Sequence, residues 1–158
     1  MHPLLTKLNF KDHPVLHVVN LPAPLQPLLQ DFAAHCKTST SKTVPAGTTF
    51  VIAFATKQIQ VDQFAAQVAS KTVDDAVVWV AYPKGSSRNY TCEFNRDNGW
   101  AAFGAAGFEP VRQVAIDDDW SALRLRRVGN IKKMTRKSAV SKQGQARIKA
   151  PAVPRKRK

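Results

Sequence analysis

Three apolar runs mark the first half of the chain: Val15-Leu16-His17-Val18-Val19, Phe50 to Ala55 (FVIAFA) and Ala76 to Tyr82 (AVVWVAY). Runs of this length fit strands covered on both faces. Between them the apolar positions change period. Leu25, Leu28, Leu29 and Phe32 recur every three or four residues, and Val61, Phe64, Ala65 and Val68 repeat the spacing. Each set forms one stripe of a helix. Pro24 and Pro27 fall in the first turn of the earlier helix, where a missing N–H matters least. Strand, helix, strand, helix, strand predicts a parallel sheet with right-handed crossovers and helices on both faces.

Beyond the third strand, Asn95 to Ala106 reads as a third helix, with Trp100 and Phe103 buried and Gly107 as its stop. Phe108 to Ile116 and Trp120 to Val128 are two further strands. The Asp117-Asp118-Asp119 turn between them is too short for a crossover, so they pair antiparallel. Lys37 to Gly47, rich in Thr, Ser and Lys, reads as a loop. The expected fold is α/β, a small three-layer open sheet of five strands with a C-terminal antiparallel hairpin.

Charge divides the chain in two. Residues 1–128 hold 13 Lys and Arg against 11 acids, whereas residues 129–158 hold 11 and no acid. The net charge of +13 therefore belongs mainly to the tail. That tail has no aromatic residue, and its apolar residues do not form a sustained stripe. It buries too little surface to offset the roughly 1–2 kcal/mol per residue that ordering costs. The expected organisation is a domain at 1–128 and a flexible basic tail at 129–158, with Ile131 to Arg136 able to extend the body as a short helix.

Apolar residues at 44% are enough for a globular core, and composition excludes collagen-like, disulfide-scaffold and fully disordered chains. The two cysteines, Cys36 and Cys92, lie outside any CxxC pattern and are expected to be reduced. The N-terminus lacks the features of a signal peptide, and no window approaches the roughly 20 apolar residues a bilayer requires. A cytoplasmic protein without a membrane partner is expected.

The stretches VVWVAYPKGSS (Val77 to Ser87) and GFEPVRQVAIDDDWSALRLRR (Gly107 to Arg127) resemble a family of short bacterial proteins that carry a domain of unknown function. The resemblance spans roughly Leu8 to Val128 and implies fold and context without an activity. The order of elements is also similar to the distal half of the Rossmann-like methyltransferases, which implies the strand order 1-2-3-5-4. Those enzymes carry a glycine-rich loop after their first strand, so that backbone can approach the cofactor. Here Asn20-Leu21-Pro22-Ala23-Pro24 follows that strand, with no glycine and two residues lacking an N–H. S-adenosylmethionine binding in the usual mode is therefore not expected, and no cofactor is assigned.

Ligands of open α/β sheets sit outside the carboxyl ends of the strands. Lys84, Ser86, Ser87 and Arg88 follow the third strand, and Thr56 and Lys57 end the second. Their cations and hydroxyls can hold a phosphate or carboxylate, against the plainer reading of a solvated turn. The aspartates at 117–119 point in different directions, so a charged hairpin turn, with Asp119 pairing Arg124 or Arg126, outweighs a metal site. His17 reads as a hydrogen-bonded residue of the sheet rather than a metal ligand with His13. His35 and Cys36 diverge as neighbours on a helix and do not make a nucleophile pair. Trp79, Tyr82, Trp100 and Trp120 have the rings to stack a base, but Trp79 and Trp100 read as core and Trp120 as partly exposed beside a turn, so stacking is outweighed.

The tail cations are Lys132, Lys133, Arg136, Lys137, Lys142, Arg147, Lys149, Arg155, Lys156, Arg157 and Lys158. Such a stretch binds phosphate backbones by releasing counterions and carries nothing that reads base edges. The leading functional expectation is a non-enzymatic α/β domain whose tail binds nucleic acid without sequence preference. The alternatives are a module for a small, nucleotide-like anion or a degenerate methyltransferase-like domain, and a protein-interaction domain presenting its outer hairpin edge with Arg112, Arg124 and Arg126. A monomer or weak homodimer is expected.

Overall fold

The computed structural model describes residues 2–131. Six strands form one sheet in the order β2-β1-β3-β4-β6-β5. They are β1 (Leu16–Val19), β2 (Thr38–Ser41), β3 (Thr48–Phe54), β4 (Thr72–Pro83), β5 (Phe108–Ala115) and β6 (Trp120–Arg127). β2, β1, β3 and β4 run parallel to one another, and β6 lies antiparallel to both β4 and β5. The five expected strands keep the order 1-2-3-5-4 among themselves.

The sixth strand, β2, is a correction. Its sequence, Thr-Ser-Thr-Ser, lies within the expected loop and contains no apolar residue. Edge strands are held by backbone pairing on one side, so they need no apolar side chains to form. Here every β2 residue has a register partner on β1, from Leu16↔Thr38 to Val19↔Ser41.

Helices cover both faces. On one lie α1 (Pro3–Lys7) and α2 (Gln26–Ala33), on the other α3 (Gln58–Lys71) and α4 (Ala101–Ala105). α1 is not signalled by any stripe. It starts because the His2 ring accepts a hydrogen bond from the Leu4 N–H at 3.0 Å and Pro3 occupies its first turn. It persists because Leu4, Leu5 and Leu8 are buried against the sheet.

The third helix is shorter than its apolar spacing suggests. Asn95 Oδ1 accepts from the backbone N–H groups of Asp97 and Asn98, at 2.8 and 3.0 Å. That side chain substitutes for a helical carbonyl and holds a turn. Gly99 then adopts φ +102°, outside the helical region. Helix therefore begins only at Ala101 and ends at Ala105, and Gly107, at φ +86°, follows the cap residue Ala106.

Strand alternation separates two cores. Val78, Val80 and Tyr82 of β4 face Phe64, Trp100 and Phe103 beneath α3 and α4. Val77, Trp79 and Ala81 face Leu5, Phe32 and Phe50 beneath α1 and α2. Trp120 is a second correction: it is buried between Phe54 and Tyr90, with ring centroids 5.3 and 4.9 Å away. It presents no face to a base.

The chain continues past β6 through a short 3-10 turn at Val128–Asn130, with Val128 buried. The tail cations from Lys132 onward, and most of the short helix expected at 131–136, lie outside the described residues. Among those residues, no helix is long and apolar enough to cross a membrane.

Candidate functional site: a polar cleft at the end of β4

β4 ends at Pro83, and the chain turns away through Lys84 to Ser87 before passing back over the sheet edge at 90–98. Between these two loops and the start of β6 opens a cleft of about 720 Å³. Its floor is apolar, built from Tyr82 and Phe94, whose rings lie 5.7 Å apart. Its polar lining includes Lys84, Ser87, Cys92, Arg96, Gln113 and Ser121. The position follows the rule for open α/β sheets, outside the carboxyl end of a strand. The volume lies in the range of small-molecule sites.

The Tyr82 ring is buried, and its hydroxyl oxygen accepts a hydrogen bond from Gln113 Nε2 at 3.1 Å. Burial pushes the phenol above its usual range, partly opposed by the positive charge of Arg96. Tyr82 therefore stays a neutral hydroxyl near pH 7. Burial likewise raises the Cys92 thiol, opposed by a backbone hydrogen bond with Phe94. A protonated thiol is a poor nucleophile. The cleft is thus equipped to hold a ligand through two cations, one carboxylate (Asp97) and several neutral hydrogen-bonding groups.

Of the six residues expected to bind an anion, Lys84 and Ser87 line this cleft. Ser86 and Arg88 are exposed on the outer side of the loop. The loop is fastened by a carboxylate: Ser87 Oγ and Asn89 Nδ2 donate to the two Asp119 oxygens at 2.8 and 3.1 Å. Asp119 thus serves this loop, not Arg124 or Arg126. Arg126 instead grips Asp75 in a two-bond fork of 2.9 and 2.7 Å.

Thr56 and Lys57 sit at the start of α3, where free N–H groups ordinarily favour an anion. Gln60 Oε1 accepts from both of their N–H groups, at 2.9 and 3.0 Å, and Glu93 Oε1 accepts from the Gln58 N–H at 2.9 Å. Those donors are already satisfied within the chain. Arg96, Gln113, Tyr82 and Cys92 were not legible as site residues, because Arg96 and Cys92 lie on an irregular loop and Gln113 reaches the cleft from β5. The strand-end position of Tyr82 was the one signal pointing there.

The other candidate residues have local roles. Asp117 Oδ1 accepts from the N–H groups of Asp119 and Trp120, both at 2.8 Å, which is a turn and not a metal shell. Among the described residues, no cluster of three or more His, Cys, Asp or Glu is placed to hold a metal. His13 Nδ1 lies 2.9 Å from Thr49 Oγ1. His17 departs from expectation: its buried Nδ1 has no hydrogen-bond partner among the described residues. Cys36 and Cys92 are free thiols, and Cys36 Sγ donates to the Phe32 carbonyl at 3.5 Å.

A second location matters for any nucleotide-like cofactor. The sheet reverses its order between β1 and β3, where such ligands ordinarily bind. Asn20 leaves β1 at φ +58°. Leu21 then turns inward to line a nearly filled apolar hollow of about 10 Å³ with Leu28, Phe54 and Ile116. Pro22 and Pro24 offer no N–H, and β2 ends at Ser41-Lys42 without a carboxylate for ribose hydroxyls. This exit does not fit S-adenosylmethionine in the usual mode.

No protein-family model and no curated protein matches the chain, so the resemblance to a short bacterial family stays an expectation. Solved structures do match. A SAM-dependent methyltransferase from Aquifex aeolicus aligns with a TM-score of 0.54 at 11% identity, over 79% of this chain and 88% of that one. The pyocyanin biosynthetic protein PhzM aligns with a TM-score of 0.52 at 11% identity, over 79% of this chain and 53% of its own, so this chain spans about half its length. With the strand order above, the chain has the Rossmann-like fold found in S-adenosylmethionine-dependent methyltransferases.

Proposed function

We propose that the protein is a degenerate methyltransferase-like domain that binds a small anionic ligand in the cleft at the end of β4. The supporting observation is the pairing of an apolar, closed β1 exit with a polar cleft of about 720 Å³ lined by Lys84 and Arg96. The two cations outnumber the one carboxylate of the lining, Asp97, and attract a phosphate or carboxylate, the Tyr82–Gln113 pair orients a polar group, and Phe94 packs beneath it. The residues provide binding and orientation without an activated nucleophile.

A thermal-shift screen of the full chain against nucleotides, other small carboxylates and phosphates, and S-adenosylmethionine tests this reading. At least one anion is expected to stabilise the protein, and the gain is expected to vanish in Lys84→Ala and Arg96→Ala. S-adenosylmethionine is expected to give no shift. No stabilisation by any compound at millimolar concentration, or a shift indifferent to both substitutions, would sink the reading.

The charge partition supports a second reading, in which residues 129–158 bind nucleic acid without sequence preference. Its 11 cations and no acids make it a counterion-releasing arm. If roughly five phosphates are engaged, affinity for duplex DNA falls by about two to three decades between 50 and 200 mM salt. A salt-insensitive affinity contradicts this reading.

A further inference from the structure

A bare anion does not account for everything that lines the cleft at the end of β4. A phosphate needs cations and N–H groups, yet two aromatic side chains, Tyr90 and Phe94, stand in the lining beside them. Each is backed by a buried tryptophan. Tyr90 packs on Trp120, with ring centroids 4.9 Å apart, and Phe94 on Trp100, at 5.4 Å. Rings fixed in this way offer a rigid apolar surface to a planar group.

Tyr82 and Gln113 add a polar edge. The Tyr82 hydroxyl oxygen accepts from Gln113 Nε2, which leaves the hydroxyl hydrogen to be donated and Gln113 Oε1 to accept. One donor and one acceptor thus stand side by side in the lining. Turning the amide end for end exchanges the two roles and keeps the pair. Adjacent donor and acceptor groups are also what the edge of a nucleobase presents, as the two-bond pairing of Asn or Gln with adenine illustrates.

The ionic groups lie close to this edge. Burial is the main influence on the Tyr82 phenol, and the charges of Arg96 and Asp97 also reach it, in opposite senses. Lys84 follows directly on Pro83, the last residue of β4. Among the described residues, none of Lys84, Arg96 and Asp97 is held in an ion pair. Asp97 only opposes a bare anion, but a carboxylate is the group that takes the hydroxyls of a ribose.

We propose that the cleft binds a nucleoside monophosphate, its base lying against Tyr90 and Phe94 with an edge on the Tyr82–Gln113 pair, its ribose hydroxyls on Asp97 and its phosphate on Lys84 and Arg96. The assignment rests on the small-anion reading of the cleft and narrows it to one chemical class. The volume of about 720 Å³ exceeds what phosphate alone requires and suits a ligand of this size. β4 lies two strands from β1 in the sheet, roughly 10 Å away, so the nucleotide sits apart from the closed β1 exit.

The test is isothermal titration calorimetry of the full chain at about 150 mM salt, where weak contacts of exposed cations are screened. The ligands are uridine monophosphate, adenosine monophosphate, ribose 5-phosphate and phenyl phosphate. Both nucleotides are expected to bind roughly tenfold more tightly than ribose 5-phosphate, which has no base to stack. They are expected to exceed phenyl phosphate as well, which has a ring without a hydrogen-bonding edge. Gln113→Ala, at an exposed position, is expected to lower nucleotide affinity roughly fivefold and to leave ribose 5-phosphate unchanged. Tyr82→Phe, which keeps the ring, is expected to match it; if that variant unfolds, Gln113→Ala decides. Ribose 5-phosphate or phenyl phosphate binding as tightly as the nucleotides overturns the proposal. So does a Gln113→Ala variant that loses nothing, or loses equally for every phosphate. In each of these cases the small-anion reading stands. If no nucleotide binds while another anion of the thermal-shift screen does, the proposal alone fails; if nothing binds in either experiment, both fail.

Discussion

The indole Nε1 of Trp79 donates to the carbonyl oxygen of Leu8 at 2.9 Å, inside the core beneath α1. The bond joins the middle of β4 to a residue 71 positions earlier in the chain. It explains how a five-residue helix with no propensity signal stays docked. Trp79→Phe keeps most of the apolar surface but leaves the Leu8 oxygen without its donor. The expected loss is about 1–3 kcal/mol, read as a fall of several degrees in the midpoint of thermal unfolding by circular dichroism. An unchanged midpoint would show that water or another donor replaces the indole.

Gly99 is where backbone freedom is required. A Cβ there meets Phe94 Cβ at 2.6 Å and Gln58 Oε1 at 2.7 Å, and φ is +102°. Gly99→Ala is expected to destabilise by about 2 kcal/mol or more, since both strain and contact oppose it. Because the turn from Asn95 to Gly99 forms one wall of the cleft, ligand binding in the thermal-shift screen is expected to weaken as well.

Arg127 acts as a clamp on the end of α3. Its guanidinium donates to the carbonyls of Val68, Ala69, Val73 and Asp74 and to Thr72 Oγ1, at 2.7 to 3.3 Å. It also lies 4.8 Å from the centre of the Phe108 ring. Arg127→Ala is expected to cost about 2–3 kcal/mol. Arg127→Lys should recover only part of it, because an ammonium lacks the fork that spans five acceptors. Urea unfolding of the three proteins gives the comparison.

His17 makes stability depend on pH. Burial lowers its pKa below 6.5 in the folded state. The unfolded chain therefore takes up a proton at a pH where the folded chain resists it. The neutral-histidine contribution is complete above the unfolded value of 6.5 and is lost as pH falls below it, until the folded value is passed. His13 is lowered in the same direction, mainly by burial. His17→Val removes one of the two titrations. Its stability is expected to decline less than that of the parent between pH 7 and pH 5, measured by chemical denaturation. Parallel curves would show that His17 is not the responsible group.

Burial raises both thiols, Cys36 and Cys92, above the ordinary cysteine value. Alkylation by iodoacetamide at pH 7.5 is expected to be slower than for free cysteine and to accelerate above pH 9. Only Cys92 lines the polar cleft. A ligand found in the screen should therefore protect Cys92 and leave Cys36 unchanged, as mass spectrometry of the modified peptides would show.

Several features could be anticipated from the chain because they arise from burial at regular spacing. The runs ending at Val19, Ala55 and Tyr82 are apolar because both faces of their strands are covered, and α2 and α3 show stripes because one side meets the sheet. The hairpin after Gly107 followed from a turn too short for any other connection. β2 and α1 left no comparable trace. One is held by backbone bonds to β1, and the other by contacts of Leu4, Leu5 and Leu8 with distant strands.

The sequence by itself determined the layered α/β architecture, the parallel direction of its central strands, the absence of glycine after β1 and the confinement of most excess charge to residues 129–158. These are properties of local spacing and composition. Only the tertiary structure decided that Arg96, Cys92 and Gln113 converge on Tyr82, that Asp119 fastens the Ser87 loop, and that Arg126 pairs with Asp75. Those relations join residues tens of positions apart. They depend on strand register and on which hydrogen bonds neighbouring loops have already satisfied, and neither is encoded in the periodicity of any one segment.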